Sequence, residues 1–181
     1  MQYRVFSSLV LGRIFRNVIR LKVGNLQIRP IALEDEPFLF ELYASTRLEE
    51  MANWGWDEPT ARSFLQMQWN AQTHSYGTQF PNMRKELLLV QGQRAGRMLT
   101  CLMDEALLLV DISLLPAFRG QGYGTSLLKR MQHEAAQLGV AVRLTVRNDN
   151  RARRLYEQLG FRTVADNGAD SRMEWREGFG M

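Results

Sequence analysis

Residues 86–115, "ELLLVQGQRAGRMLTCLMDEALLLVDISLL", constrain the fold more than any other stretch: three apolar runs are separated by short turns at Gly92 and Asp104. Apolar runs of strand length bounded by turn residues read as β-strands, and connections this short join antiparallel neighbours. An antiparallel meander is therefore expected at the centre of the chain. Ahead of it, "LQIRPI" (26–31) alternates as a strand does, and "ALEDEPFLFELYASTR" (32–47) opens a helix with acids at the positive end of its dipole. "MANWGWDEPT" reads as a turn-rich break, after which Asp57 and Pro59 start a second helix running to about residue 74, with Phe64, Leu65 and Trp69 on its apolar side. Downstream, Leu127, Leu128, Met131, Ala135 and Leu138 mark one face of a helix that Gly139 ends. "VAVRLTV" (140–146), "NRARRLYEQLG" (150–160), "FRTVA" and "SRMEWR" then read as strand, helix, strand and strand.

Length and charge narrow the class. The chain has 181 residues, 45% of them hydrophobic, enough for one core of ordinary size, so one α+β domain is expected over residues 25–181. Residues 1–24 carry Arg4, Arg13, Arg16, Arg20 and Lys22 and no acid; of the chain's net +4 this segment holds +5, leaving −1 for the remainder. That remainder has no broad basic stripe for a nucleic-acid backbone, and no nucleic-acid partner is expected. Leu11, Ile14, Phe15, Val18 and Ile19 recur at helical spacing opposite the arginines, so residues 1–24 read as a basic amphipathic extension. It suits a helix packed on the domain or a partner, a membrane-surface anchor, or a transit-like start. The apolar runs are shorter than a membrane span needs, and the one cysteine, Cys101, has no internal disulfide partner and no zinc-like spacing around it. A cytoplasmic protein without a metal is expected, with Cys101 as a small core hydrophobe.

The meander runs directly into "LLPAFRGQGYGTSLL" (114–128). Glycines such as Gly122 and Gly124 permit dihedrals that other residues resist and let a ligand approach the main chain. The helix that follows offers unpaired amide donors and the positive end of its dipole, together an anion cradle most often used for phosphate. Arg119 adds a fork-shaped donor. A Walker loop would need Gly-Lys-Ser/Thr, which is missing, and a dinucleotide fingerprint fits Gly120 and Gly122 but meets Thr125 at its third glycine.

The R-x-x-G-x-G of Arg119, Gly122 and Gly124, after an apolar strand and a proline, resembles the acetyl-CoA loop of the GNAT N-acetyltransferase superfamily. "NDNRARRLYEQLGF" (148–161) resembles its second signature: an asparagine, then alanine, leucine, tyrosine and a closing Gly-Phe. The resemblance covers the chain from about Leu26 onward and is to bacterial-type single-domain members. It implies a mixed, mostly antiparallel sheet flanked by helices and splayed open between its fourth and fifth strands, residues 106–115 and 140–147, to hold acetyl-CoA as co-substrate. It further implies that the amides of Gln121, Gly122, Tyr123, Gly124 and Thr125 take the pyrophosphate, with Arg119 and Gly120 also at the co-substrate. Main-chain groups of Ile112, Leu114 and Leu115 would pair with pantetheine as with an added strand. Asn150, with Asn148 as the competing choice, would hydrogen-bond the co-substrate. Arg153, or Arg151 or Arg154, would meet the nucleotide's phosphates unless these arginines form a solvated helix face.

The same resemblance puts Tyr156 beside the thioester sulfur, where it would protonate the departing thiolate; the alternative is a ring packed beneath the co-substrate. An amine acceptor sits ~3.4 pK units above neutrality, so its deprotonation costs about 4.6 kcal/mol without help. Asp111, Glu50 and Glu49 are the carboxylates placed to help, and relay through water is the alternative. Trp54, Trp56, His74, Tyr76 and Phe80 would surround the acceptor. The implied function is acetyl transfer from acetyl-CoA to a primary amine of a small molecule or peptide. The alternative is a non-catalytic acyl-CoA-binding sensor on the same fold. Membrane contact would come only through residues 1–24, and a homodimer is compatible with either reading.

Overall fold

The computed structural model describes residues 25–178, without the side chains of Glu49, Glu50 and Ala52; the basic extension expected over 1–24 lies outside the described residues. Within the described residues, seven strands and five helices run in the order β1 (Leu26–Pro30), α1 (Glu36–Ser45), α2 (Leu48–Asn53), α3 (Glu58–Gln79), β2 (Arg84–Val90), β3 (Gln93–Leu102), β4 (Ala106–Leu114), α4 (Tyr123–Leu138), β5 (Ala141–Arg147), α5 (Ala152–Gln158), β6 (Arg162–Asp166) and β7 (Asp170–Trp175). Single 3-10 turns at Leu33–Asp35 and Pro116–Phe118 precede α1 and follow β4. The elements follow the sequence reading with two differences. Within the expected break, Leu48 and Met51 form a short helix because Met51 is buried in the cluster beneath it and Leu48 packs against that cluster. The second long helix continues past residue 74 to Gln79. There the Tyr76 and Phe80 rings pair at 6.4 Å across one turn and Thr78 Oγ1 donates to the His74 carbonyl at 3.1 Å.

The strands form one sheet in the order β1-β2-β3-β4-β5-β7-β6. Gln91 and Gly92, both at positive φ (52° and 80°), make the two-residue turn of the β2–β3 hairpin, a geometry that requires positive φ at both positions. β1 with β2, β5 with β7, and β6 with β7 are antiparallel. β4 and β5 are parallel over four pairs, Ala106↔Ala141 to Leu109↔Leu144, although β4 continues to Leu114 and β5 to Arg147.

Two compact units make up the described chain. One comprises residues 25–99 with Asp111–Gln121. Its core is Leu39, Tyr43, Ala44, Met51, Ala61, Leu65, Trp69 and Leu87, from α1, α2, α3 and β2. α3 starts where Asp57 accepts hydrogen bonds from the Thr60 amide and hydroxyl, each at 2.9 Å. Asp35 is fully buried. Both its oxygens bind Arg29 (2.6 and 2.8 Å), Arg94 Nε adds 2.9 Å and the Ala32 amide 3.0 Å. Those bonds, Arg29 first, hold the Asp35 carboxyl far below the usual carboxylate range against the opposing effect of burial. Gly96 on β3 has no room for a side chain: a Cβ there would lie 2.2 Å from the Ser113 carbonyl oxygen and 3.1 Å from Leu114 Cα.

The other unit comprises Thr100–Val110 with residues 122–178. Leu127, Leu128, Met131 and Ala135 are the buried stripe of α4, and Ala141, Val142, Leu144 and Val146 are buried along β5. Gln132 Nε2 donates to the Leu159 carbonyl at 2.8 Å, tying α4 to the end of α5. Gly139, at φ 67°, closes α4 in the left-handed conformation.

Gly96→Ala should destabilise the protein by about 3 kcal/mol or prevent folding, because the nearest obstacle is backbone that cannot rotate away; urea unfolding measures it. Asp35→Asn should cost about 2 kcal/mol, with its half-exposed arginine partners softening the loss. The folded-state pKa of Asp35 lies below its unfolded value. Its contribution is therefore full above pH ~4 and fades as pH falls further, so the variant's stability should vary less with pH there than the wild type's.

Candidate functional site

The glycine stretch turns the chain from β4 into α4, and its glycines differ in conformation. Gly120 (φ 72°) and Gly122 (φ 83°) take left-handed dihedrals, and Gly122 is the N-cap of α4. The Ser126 amide bonds to the Gly122 carbonyl at 3.0 Å. The amides of Tyr123, Gly124 and Thr125 precede any intrahelical acceptor, and an N-cap glycine has no side chain to cap them. These donors converge at the positive end of a 16-residue helix. Gly124 lies within α4 and, unlike Gly120 and Gly122, does not take a positive φ; a Cβ there would come within 3.4 Å of Leu155 Cδ2 of α5. Arg119 Nε donates to the Leu114 carbonyl at 2.8 Å, and its terminal nitrogens have no partner among the described residues.

Before this loop, β4 changes character. Ala106, Leu107 and Leu109 are buried, whereas every residue from Val110 to Leu114 is half-buried. Among the expected main-chain contacts, the Leu114 carbonyl is taken by Arg119, and the Leu115 amide donates to the Ala95 carbonyl at 2.9 Å. Asp111 and Ser113 share one face: Ser113 Oγ lies 3.1 and 3.3 Å from the two Asp111 oxygens, and Arg97 Nε donates to Asp111 Oδ2 at 2.7 Å. The Arg97 guanidinium carbon is 4.8 Å from the centre of the Trp69 ring. Trp69 in turn packs on Tyr43 at 5.3 Å, and Arg47 covers Tyr43 at 3.9 Å. Tyr76 hangs from α3 near this chain of groups; burial foremost, with Asp111 second, pushes its phenol pKa up. Sequence reasoning missed Arg97. The available signal was an arginine within a strand whose neighbours are apolar, which must find a partner once buried.

The second signature lies in the other unit. Tyr156 on α5 is 6% exposed, its ring edge-on to Phe161 at 5.8 Å. Asn148 is wholly engaged. Its Nδ2 donates to Asp166 (3.1 Å to Oδ1) and to the Gly168 carbonyl (3.2 Å), and its Oδ1 accepts from Arg153 Nη1 (3.0 Å) and Ser171 Oγ (2.6 Å). The Ser171 hydrogen bond first, then the Gly168 amide and Asn148, lowers the Asp166 pKa. Asn150 uses only its Oδ1, accepting from the Ala152 amide at 2.9 Å and capping the first turn of α5. Arg153 is held by Glu157 (3.0 Å) as well as Asn148, and Arg147 by Asp149 (2.7 Å). Arg151 and Arg154 are exposed and have no partner among the described residues.

The remaining candidates scatter. Trp54 is 61% exposed, Trp56 packs edge-on against Phe64 at 5.2 Å, and His74 is exposed on α3. Glu50 stands in α2 with its side chain outside the description. Cys101 is buried, and burial raises its thiol pKa. Among the described residues no helix is long and apolar enough to cross a membrane.

Comparison with known proteins converges on this architecture. Residues 85–163 match the acetyltransferase (GNAT) domain family. A ribosomal-protein alanine N-acetyltransferase of Haemophilus influenzae is 41% identical over 63 residues, which are 34% of this chain and only 42% of that protein's length. The fold resembles an N-acetyltransferase of Thermoplasma acidophilum solved in complex with coenzyme A (TM-score 0.64, 17% identity, 83% of this chain and 98% of that one). It also resembles an acetyltransferase of Thermus thermophilus (TM-score 0.61, 23% identity, 86% and 99%). A third likeness is to a spermidine N-acetyltransferase of Vibrio cholerae (TM-score 0.55, 20% identity, 84% and 95%). In its short parallel ladder, its glycine turn before α4 and the domain match over residues 85–163, the chain is similar to the GNAT acetyltransferases and shares the fold of the solved ones.

Proposed function

We propose that this protein is a cytoplasmic enzyme that transfers the acetyl group of acetyl-CoA to a primary amine by direct attack on the thioester. The glycine turn carries the reading. Gly120 and Gly122 at positive φ present uncapped amides at the start of a long helix, which suits a diphosphate and serves no evident packing purpose. In this reading the amides from Gly120 to Thr125 and the free end of Arg119 bind the pyrophosphate of acetyl-CoA. Main-chain groups around Ile112 and Leu114 align the pantetheine, and an amide near Leu114 stabilises the oxyanion. Arg151 and Arg154, exposed and without protein partners among the described residues, are better placed to meet the nucleotide's phosphates than Arg153, whose Nε and Nη1 are already engaged. Asn150 rather than Asn148 contacts the co-substrate, because Asn148 has its whole side chain committed to holding β6, β7 and α5 together.

In the chemical step the amine nitrogen bonds to the thioester carbon, the carbon–sulfur bond breaks, and Tyr156 gives its phenolic proton to the departing thiolate. The proton lost by the amine passes to a carboxylate, Asp111 through the oxygen not held by Arg97 or Glu50 from α2, or through water to solvent.

Calorimetric titration with acetyl-CoA and with dephospho-CoA tests the co-substrate. Acetyl-CoA should bind, about tenfold tighter than the analogue lacking the 3′-phosphate; failure of acetyl-CoA to bind would remove the reading. Tyr156→Phe should lower kcat by about 100-fold with KM for acetyl-CoA little changed. Unchanged turnover would take Tyr156 out of the mechanism and leave its ring as packing. Asn148→Ala should lower stability by about 2 kcal/mol in urea unfolding, since it strips partners from buried Ser171 and from Arg153. Asn150→Ala should cost about 1 kcal/mol or less, yet weaken acetyl-CoA binding more than Asn148→Ala does in the folded fraction.

A further inference from the structure

Arg97 sits on an otherwise apolar strand with its side chain 8% exposed. Of its five N–H donors, the one on Nε is used, by Asp111 at 2.7 Å; both terminal nitrogens lack a hydrogen-bond partner among the described residues. Trp69 shields the guanidinium at 4.8 Å. An open guanidinium fork this deep favours paired acceptors, and the planar fork matches a carboxylate.

The surroundings agree with that ligand. Trp69, Gln72 and Tyr76, at i, i+3 and i+7, lie along one stripe of α3, the stripe that meets Arg97 through Trp69. The Tyr76 oxygen accepts from Gln72 Nε2 at 3.3 Å, which leaves its O–H to donate elsewhere. Burial first and Asp111 second keep that phenol protonated. Gln72 Oε1 is buried without a donor among the described residues. Arg47 and Arg97 supply two positive charges here against one negative charge from Asp111, so the surplus among the described residues is one, matched by a single carboxylate. Beside them, Val110 to Leu114 of β4 are half-buried, so the group borders an accessible strand end.

We infer that the acceptor is an amino acid, whose carboxylate is bound by the open fork of Arg97 with the Tyr76 hydroxyl. The inference rests on the proposed acetyl transfer and narrows its acceptor. Arg97 is then a specificity-determining residue, and Asp111 positions it by fixing Nε so that the fork faces outward.

The test compares each of the common amino acids with its own primary amide and with a simple alkylamine, for binding to the CoA-loaded protein by calorimetry and for acetylation in a CoA-release assay. At least one amino acid should bind and turn over about tenfold better than its amide, the loss being that of charge-assisted hydrogen bonds. Arg97→Lys, which keeps the charge and drops the fork, and Arg97→Gln should both shrink that ratio toward one, while acetyl-CoA affinity stays as in the wild type. Thermal unfolding checks that each variant folds, and the wild-type ratio stands as evidence without them. Acids and amides treated alike, alkylamines preferred throughout, or no amino acid bound would each overturn the inference. Acetylation of amides or alkylamines in that case would leave the proposed acetyltransferase function intact, whereas absence of acetyl-CoA binding would defeat that function itself.

Discussion

The contact between Gly96 and the backbone at Ser113 and Leu114 sets the geometry on which the end of β4 depends. With no Cβ at 96, the Ser113 carbonyl closes to a distance that any side chain would forbid. The neighbouring residues exploit that closeness. The Ala95 carbonyl takes the Leu115 amide, Arg97 reaches Asp111, and the Leu114 carbonyl is left turned toward Arg119. Where β4 stops and the loop at 116–122 begins is thus fixed by backbone contact, and backbone is the least adjustable material a fold has.

Buried charge follows an equally strict pattern. Asp35 gathers two arginines and an amide, and ties β1, the turn before α1 and β3 into one unit. Glu174 does the equivalent in the other unit. Burial would raise its pKa, but Arg176 and Arg143, each donating at 2.6 Å, hold it below the ordinary value. Arg143 and Glu174 are directly opposed on β5 and β7, so the ion pair also supports the register. These networks sort the arginines by what their donors are committed to. Arg119, Arg151, Arg154 and the fork of Arg97 keep open donors among the described residues.

Much of the fold was legible because periodicity and turn chemistry are local. The meander, the helix closed by Gly139 and the turn at Gly120 and Gly122 follow from residue type and spacing alone. The helix end at Gln79 was not legible, since it rests on a pair of rings one turn apart outweighing the glycine between them. Nor was the closeness of Leu155 to Gly124, since Leu155 is distant in sequence and only the fold brings it within 3.4 Å of a Cβ at that position. The two asparagines differ for the same reason. Both sit two residues apart in one motif, yet one is filled by partners from β6, β7 and α5, and the other caps the helix it begins.

By itself the sequence determined the order of elements, the likeness to the GNAT fold and the backbone geometry of the glycine turn. Hydrophobic periodicity, glycine dihedrals and helix-end amides act over a few residues and need no knowledge of what packs where. Only the tertiary structure decided which charged side chains are occupied and which remain open. Asp111 looks available in sequence, but Arg97 on the adjoining strand occupies one of its oxygens. Arg153 looks available, but Glu157 and Asn148 hold it. Hydrogen-bond capacity is taken up by whatever partners folding brings within about 3 Å, and that distance is a property of the whole chain.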